Sequence, residues 1–374
     1  LSIYALNQAY SIESGVWDGL STSTYPSTIL GGVKPITDRT WEIGANLHFL
    51  EGSRIIVDLA YFNKYTYNNT KEQTISSASG FTSRLMNINE EYVRRGIELS
   101  VDANAIKRAN FSWDLNVNIS KSHRYFAQLD EEFSKDDLWT KVGERTDYYT
   151  YKLLDTDPNG NLIHKANGLP YKRPYAVLCG YTDPDFEWGF ANNFRYKMFT
   201  LAVTFDGRVG GISWNNTEYR MLDSGVHPST DTQWRYDEVV NGKLTYIGEG
   251  VKVVSGEVKY DQYGRITEDT RVFEKNDKVV SYEDYVKGSR QTMKWIQDKT
   301  FLKLREVALG CDLPKSFAKK LGMNACSISL IGQNLFVLSK EFKFVDPDGV
   351  DGIEDEDMTS PSVRYTGINL KLTF

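Results

Sequence analysis

The sequence predicts an all-β protein, an antiparallel transmembrane β-barrel, on three observations. Apolar and polar residues alternate with a period of two in one segment after another. The connections between those segments alternate long and short, as they do in outer-membrane barrels. An aromatic share of 13%, with 23 Tyr and 18 Phe, favours strands over helices.

Taken in chain order, most strands can be read from the parity of residue number, beginning with a less regular one at Ser2 to Tyr10. In WEIGANLHFL, Trp41, Ile43, Leu47 and Phe49 oppose Glu42, Asn46 and His48. Ile55 to Tyr65 follows. Ile97, Leu99 and Val101 then oppose Glu98, Ser100 and Asp102, and Phe111, Trp113, Leu115, Val117 and Ile119 oppose Ser112, Asp114, Asn116, Asn118 and Ser120. Phe186, Trp188, Phe190, Phe194 and Tyr196 make the next apolar face, and Phe199, Leu201, Val203 and Phe205 the one after. Phe301 to Gly310 is irregular, Cys326, Ile328 and Leu330 alternate again, and Ile368, Leu370, Leu372 and Phe374 end the chain. That makes about ten strands, each near the roughly 9 to 11 residues that cross a bilayer at a tilt.

Long connections are expected at about 11–40, 66–91, 121–185, 210–300 and 339–361, with short ones at 51–54, 106–110, Lys197–Met198 and 311–323. Antiparallel neighbours send successive connections to opposite ends, so the long ones share one rim. A soluble sandwich has no reason to segregate its loops; an outer-membrane barrel does. Aromatics near strand ends, Trp41, Tyr61, Tyr65, Phe186 and Tyr196, fit interfacial girdles. The short rim also carries one predicted helix, PKSFAKKLG, with Pro314 in its first turn and Gly322 past its end. GEVKYDQYGRIT predicts a small hairpin around Gln262 to Gly264.

A net charge of −6 without a basic stripe argues against nucleic-acid binding. No run of about 18 apolar residues exists, so no membrane-spanning helix is predicted, which leaves a barrel open. Cys179, Cys311 and Cys326 make neither a disulfide framework nor a zinc spacing, and His48, His123, His164 and His227 are too scattered to read as zinc ligands. No catalytic or nucleotide-binding motif is present, so neither an enzyme nor a cofactor is expected. DTDPNGN opens like a calcium loop at Asp155, Asp157, Asn159 and Gly160, but Ala166 stands at the twelfth position, and the segment reads as a turn. DPDGVDGIEDED, 346–357, reads as a solvated acidic loop with its glycines out of register for an EF-hand; metal binding there is left open. In the longest loop Trp214, Tyr219, Trp234 and Tyr236 sit among polar neighbours, as ligand or lid contacts or as contacts to a partner protein.

FLKLREVALGCDLPKSFAKKLGMNACSISLIGQNLFVLSK, FVDPDG and the closing SVRYTGINLKLTF resemble the C-terminal end of the SusC/RagA-type TonB-dependent transporters of Bacteroidetes. GYTDPDFEWGFANNFRYKMFTLAVTFDGRVGG and NGNLIHKANGLP are similar to the same family, in the same order, and the resemblance covers most of Trp41 to Phe374. Cys311 departs from it, standing where the family has an aromatic. The resemblance implies the last ten strands of a 22-stranded barrel whose plug domain is absent from this chain. It also implies outer-membrane import of glycan or peptide fragments with a SusD-like lipoprotein and the TonB complex, and with no covalent chemistry. Starting strand-like at Leu1 without a signal peptide, the chain reads as a piece of a longer protein. The alternatives are a soluble secreted β-rich carbohydrate-binding module and a passive porin.

Overall fold

The computed structural model describes residues 11–17, 20–24, 28–30, 32–289, 293–320, 322–350 and 362–374. The predicted strand Ser2 to Tyr10 and residues 351–357 of the acidic stretch lie outside them. Nine strands form one sheet: β1 (Thr37–Phe49), β2 (Ile55–Tyr67), β3 (Glu91–Arg108), β4 (Phe111–Gln128), β5 (Phe186–Tyr196), β6 (Phe199–Val209), β7 (Phe301–Asp312), β8 (Ala325–Ser339) and β9 (Tyr365–Thr373). Their order in the sheet is their order in the chain. Each pairing from β4 through β9 is antiparallel. The connections β4–β5, β6–β7 and β8–β9 therefore leave one end of the sheet and β5–β6 and β7–β8 the other.

Register carries the two faces across the sheet. Trp113, Phe194, Leu201, Leu309, Leu330 and Ile368 are successive partners in one row, and Phe111, Tyr196, Phe199, Cys311, Ile328 and Leu370 in the neighbouring row of the same face. The intervening row, on the opposite face, runs Ser112, Arg195, Thr200, Gly310, Ser329 and Asn369. Within the apolar face Asn192 is an exception, satisfied by the Trp113 indole N–H at 3.2 Å. Gly207 makes room for Trp188: a Cβ there would sit 2.9 Å from the indole and 2.3 Å from the Phe301 carbonyl.

Much of the apolar face is bare. Leu309 is 49% exposed, Leu330 55% and Ile368 71%, and Trp113, Leu115 and Val117 are only half-buried. A water-soluble sandwich would bury these rows as its core. The buried core instead lies largely in the long connections, around Trp295, Ile163 and Trp214.

Parity breaks in β7 at Arg305, an extra residue between the partners of Thr204 and Phe205. This β-bulge keeps Leu302 and Leu304 on the same face as Val307 and Leu309. It is the reason FLKLREVALG reads as irregular. At the β5–β6 turn only Lys197 and Met198 intervene, Lys197 taking a φ of 53°. Helix α4 (Lys315–Lys320) follows Pro314 in the β7–β8 connection, closes on Gly322 at φ 73°, and buries Ala318 against Met323 and Cys326.

The chain divides into two compact units. One, Leu1–Ile43, Phe62–Arg95 and His123–Thr146, holds the small sheet of Thr28–Leu30, Ser83–Asn87 and Thr70–Thr74. In it Tyr92 packs against Phe126 at 5.8 Å beneath the Arg124 guanidinium. The other, Gly44–Tyr61, Gly96–Ser122 and Asp147–Phe374, holds everything described below.

Candidate ligand-binding site

Three short helices, α1 (Asn216–Asp223), α2 (Gln233–Val239) and α3 (Tyr282–Ser289), lie in the β6–β7 connection, where no helix was expected. Local capping produces them. Asn215 accepts the Glu218 N–H, Thr232 the Arg235 N–H and Ser281 the Asp284 N–H. Strand Ile212–Trp214 pairs with Ile296–Asp298 and brings Trp214 to Trp295, with Tyr151, Tyr219 and Leu222 packed around them. Under this cluster the Glu218 carboxylate accepts from Asn215, Gln297 and the His227 Nε2–H at 2.9 to 3.1 Å. Each of those polar groups is buried and satisfied, so the network fixes the floor of the assembly.

Ile163–His164 runs parallel to Val251–Ser255. His164 is 1% exposed; its Nδ1 donates to the Val251 carbonyl at 3.1 Å, so its Nε2 accepts from the Tyr285 hydroxyl at 3.0 Å. From Tyr285 the rings continue through Tyr246 at 4.7 Å to Tyr282 and Trp234, each 5.1 Å from Tyr246. Burial pushes the phenols of Tyr285 and Tyr246 above the ordinary tyrosine range. A cavity of about 500 Å3 opens here, lined by Asn161, Tyr246, Glu249, Tyr285, Lys294 and Trp295 among others. Aromatic faces with a few convergent polar groups, at this size, suit a small organic ligand.

The four aromatics expected to contact a ligand are not brought together. Trp214 and Tyr219 pack on each other at 5.3 Å, with Trp214 buried as structure rather than offered to solvent. Trp234 joins the Tyr246–Tyr282 cluster, whose tyrosines line the cavity. Tyr236 turns outward with Val239 and Val240, an apolar i, i+3, i+4 stripe on α2, while Glu238 bonds Ser281 and Tyr282. Sequence reading missed His164, Tyr246, Tyr282, Tyr285, Lys294 and Trp295. The spacing Tyr282, Tyr285 on one helix face was an available signal.

In the DTDPNGN turn, Asp157 accepts the Asn159 and Asn161 N–H groups, and Asp155 is bridged by Arg173 and Arg271 at 3.1 and 2.7 Å. Hydrogen bonds from Asn161 hold the Asp157 carboxyl below the ordinary aspartate value. Among the described residues no group of three or more His, Cys, Asp or Glu side chains is arranged for a metal.

Two expected results follow locally. A Cβ on Gly248 would lie 2.2 Å from Tyr285 and 2.7 Å from His164 Nε2. Gly248→Ala should therefore cost the loop assembly about 1–3 kcal/mol by overpacking, read as faster limited proteolysis between 240 and 290. Burial also lowers the pKa of His164 below the ordinary histidine value of 6.5. The unfolded chain then binds the proton at higher pH than the folded one, so the stabilisation is complete above about pH 6.5 and is lost as pH falls below it. Amides of Ile163, Val251 and Tyr285, corrected for intrinsic rates, should exchange faster at pH 5 than at pH 7.5.

The family model described as TonB dependent receptor-like, beta-barrel matches residues 2–275. TonB-dependent receptor P3 of Formosa agariphila is 21% identical over 346 residues, 83% of this chain and 30% of that protein. TonB-dependent receptor SusC of Bacteroides thetaiotaomicron is 22% identical over 273 residues, 62% of this chain and 27% of that protein. The chain spans about a third of the length of such relatives. The solved RagAB peptide importer in its 'open-open' state superposes with a TM-score of 0.68 at 13% identity, over 100% of this chain and 38% of that one. The RagAB peptide transporter gives 0.65 at 14%, over 98% and 38%. At these identities the likeness is one of fold.

Proposed function

The chain belongs to the TonB-dependent receptor-like β-barrel family, and from that premise we propose that it forms part of the wall and outer loops of an outer-membrane importer for glycan or peptide fragments. The observation that carries this reading is the bare apolar face kept in register across the sheet. Acyl chains cover that face, and the opposite face, with Asn116, Thr204, Glu306 and Gln333, lines an aqueous lumen. The nine described strands are C-terminal strands of a 22-stranded barrel. The described residues of the β6–β7 connection stand on the external rim.

Import then divides into parts. The lumen gives passage, the loops hold the cargo, and TonB acts on a plug domain belonging to the rest of the whole protein. A SusD-like surface lipoprotein caps the external rim; the outward Tyr236, Val239 and Val240 offer it an apolar contact, with Trp234 at the mouth of the aromatic cluster. Trp214 and Tyr219 act behind this surface, holding the loop core. No step requires a cofactor or a covalent intermediate.

Replacing residues 215–295 by a short Gly-Ser linker in the whole protein should leave a heat-modifiable, membrane-inserted barrel that no longer takes up its oligomeric nutrient. Undiminished uptake by the inserted variant would refute the role given to the loops. Whole protein that stays monodisperse in plain buffer would refute the membrane reading.

A further inference from the structure

The short connections β3–β4, β5–β6 and β7–β8 are stitched into one rim. The Lys197 N–H donates to the Asn110 carbonyl at 2.9 Å, and the Asp312 N–H to the Met198 carbonyl at 2.8 Å. Lys107 and Arg108 end β3, Lys197 makes the β5–β6 turn, and Lys315, Lys319 and Lys320 stand on α4. All six side chains are exposed, and among the described residues none forms an ion pair. Residues 106–110, 197–198 and 313–324 hold no acid, and Asp312 at the end of β7 is taken by Arg195 at 3.2 Å. The opposite rim has the opposite balance: in the β8–β9 connection, residues 340–364 set eight carboxylates against three cations. One sign of charge is therefore left alone across three adjacent connections.

Beside these cations the apolar face of the sheet ends in rings. Phe111, Tyr196 and Phe199 are partners across β4, β5 and β6, with Tyr196 54% and Phe199 49% exposed. Lys197 Nζ lies 5.4 Å from the Tyr196 ring centroid. On α4, which buries Ala318, the Phe317 ring is exposed among the lysines. Rings at the edge of an apolar belt, with free cations just beyond, match a membrane interface whose headgroups are anionic.

We propose that the short-connection rim is a docking surface for anionic phospholipid headgroups such as phosphatidylglycerol. Lys107, Arg108, Lys197 and the α4 lysines meet the phosphates, while Tyr196, Phe199 and Phe317 anchor at the acyl boundary. A zwitterionic headgroup carries its own cation beside the phosphate and gains less from this rim. An acidic protein segment would answer the charges but leave the rings without hydrocarbon. This inference rests on the membrane placement proposed above, to which it adds a lipid class and the leaflet on the side of the short connections.

The test is native mass spectrometry of the whole protein, released from nonionic detergent micelles holding equal amounts of dioleoylphosphatidylglycerol and dioleoylphosphatidylcholine. Phosphatidylglycerol should be retained with a preference of at least roughly tenfold, since each basic residue near an anionic surface is worth about fivefold. Lys315→Gln, Lys319→Gln and Lys320→Gln together should cut that preference at least roughly threefold. Adding Lys107→Gln, Arg108→Gln and Lys197→Gln should abolish it. Lys243→Gln, Lys275→Gln and Lys278→Gln together remove the same charge from exposed side chains of the β6–β7 connection and should leave it unchanged. Equal retention of both lipids, an equal loss in the β6–β7 variant, or retention of added hexaglutamate in place of phosphatidylglycerol overturns the docking surface. Insertion and uptake assayed in parallel separate the two ideas. An inserted, importing barrel without lipid preference sinks the docking surface and leaves import standing; a barrel that holds phosphatidylglycerol through these residues but takes up no nutrient does the reverse.

Discussion

Val203→Arg is expected to destabilise the membrane-inserted protein by about 2–4 kcal/mol, the penalty for a cation near the bilayer midplane on a barrel's lipid face. Val203 lies midway along β6, paired with Asn192 on one side and Val307 on the other. Its neighbour Thr204 pairs with Ala191 and Glu306 on the opposite face. Thr204→Arg meets water and a carboxylate there, and should cost about 0.5 kcal/mol or less. Strand, depth and introduced group are the same in both variants, so only the face differs. Equilibrium urea unfolding of the whole protein into lipid vesicles measures both. Similar small costs would mean the Val203 face does not meet hydrocarbon, and a larger cost for Thr204→Arg would invert the assignment of faces.

The faces were legible because period-2 alternation survives translation into register. Trp113 meets Phe194 as a stacked pair at 5.6 Å, and Asp114 meets Asn193. Where parity failed, a physical cause intervened: the extra Arg305 in β7, opposite the left-handed Asn334 in β8, shifts both strands locally without turning their faces over. The helices of the β6–β7 connection were hidden by their length, since seven or eight residues show too little periodicity. Their caps were nevertheless written out as Asn215 to Glu218, Thr232 to Arg235 and Ser281 to Asp284. The cavity was the least legible part. It joins Asn161, Glu249 and Trp295, which no local pattern relates. Trp214, expected as a ligand, lid or partner contact, packs in the loop's own core.

Lys303→Met should cost about 3–5 kcal/mol, the usual penalty for stripping one partner from a buried ion pair. Lys303 is 3% exposed on the polar face of β7. Its ammonium bonds Asp346 and reaches Asp348 at 3.3 Å, while Arg305 bridges Asp348 at 2.6 Å and Asp206 at 2.7 Å. Two cations and three carboxylates therefore bind the turn after β8, Pro347–Gly349, to the sheet. Methionine keeps the volume and removes the charge. It leaves Asp346 desolvated, with the Asp348 N–H at 3.1 Å as its remaining donor among the described residues. Lys303→Met combined with Asp346→Leu should recover most of the loss, because an apolar pair of similar volume replaces a buried ion pair at little net cost. Urea unfolding of the single and double variants decides between two states of this polar face. A single-variant cost below about 1 kcal/mol is the signature of a solvated pair, and would mean that lumen water reaches the cluster. A large single cost cancelled in the double variant would mean the turn is latched dry against the wall.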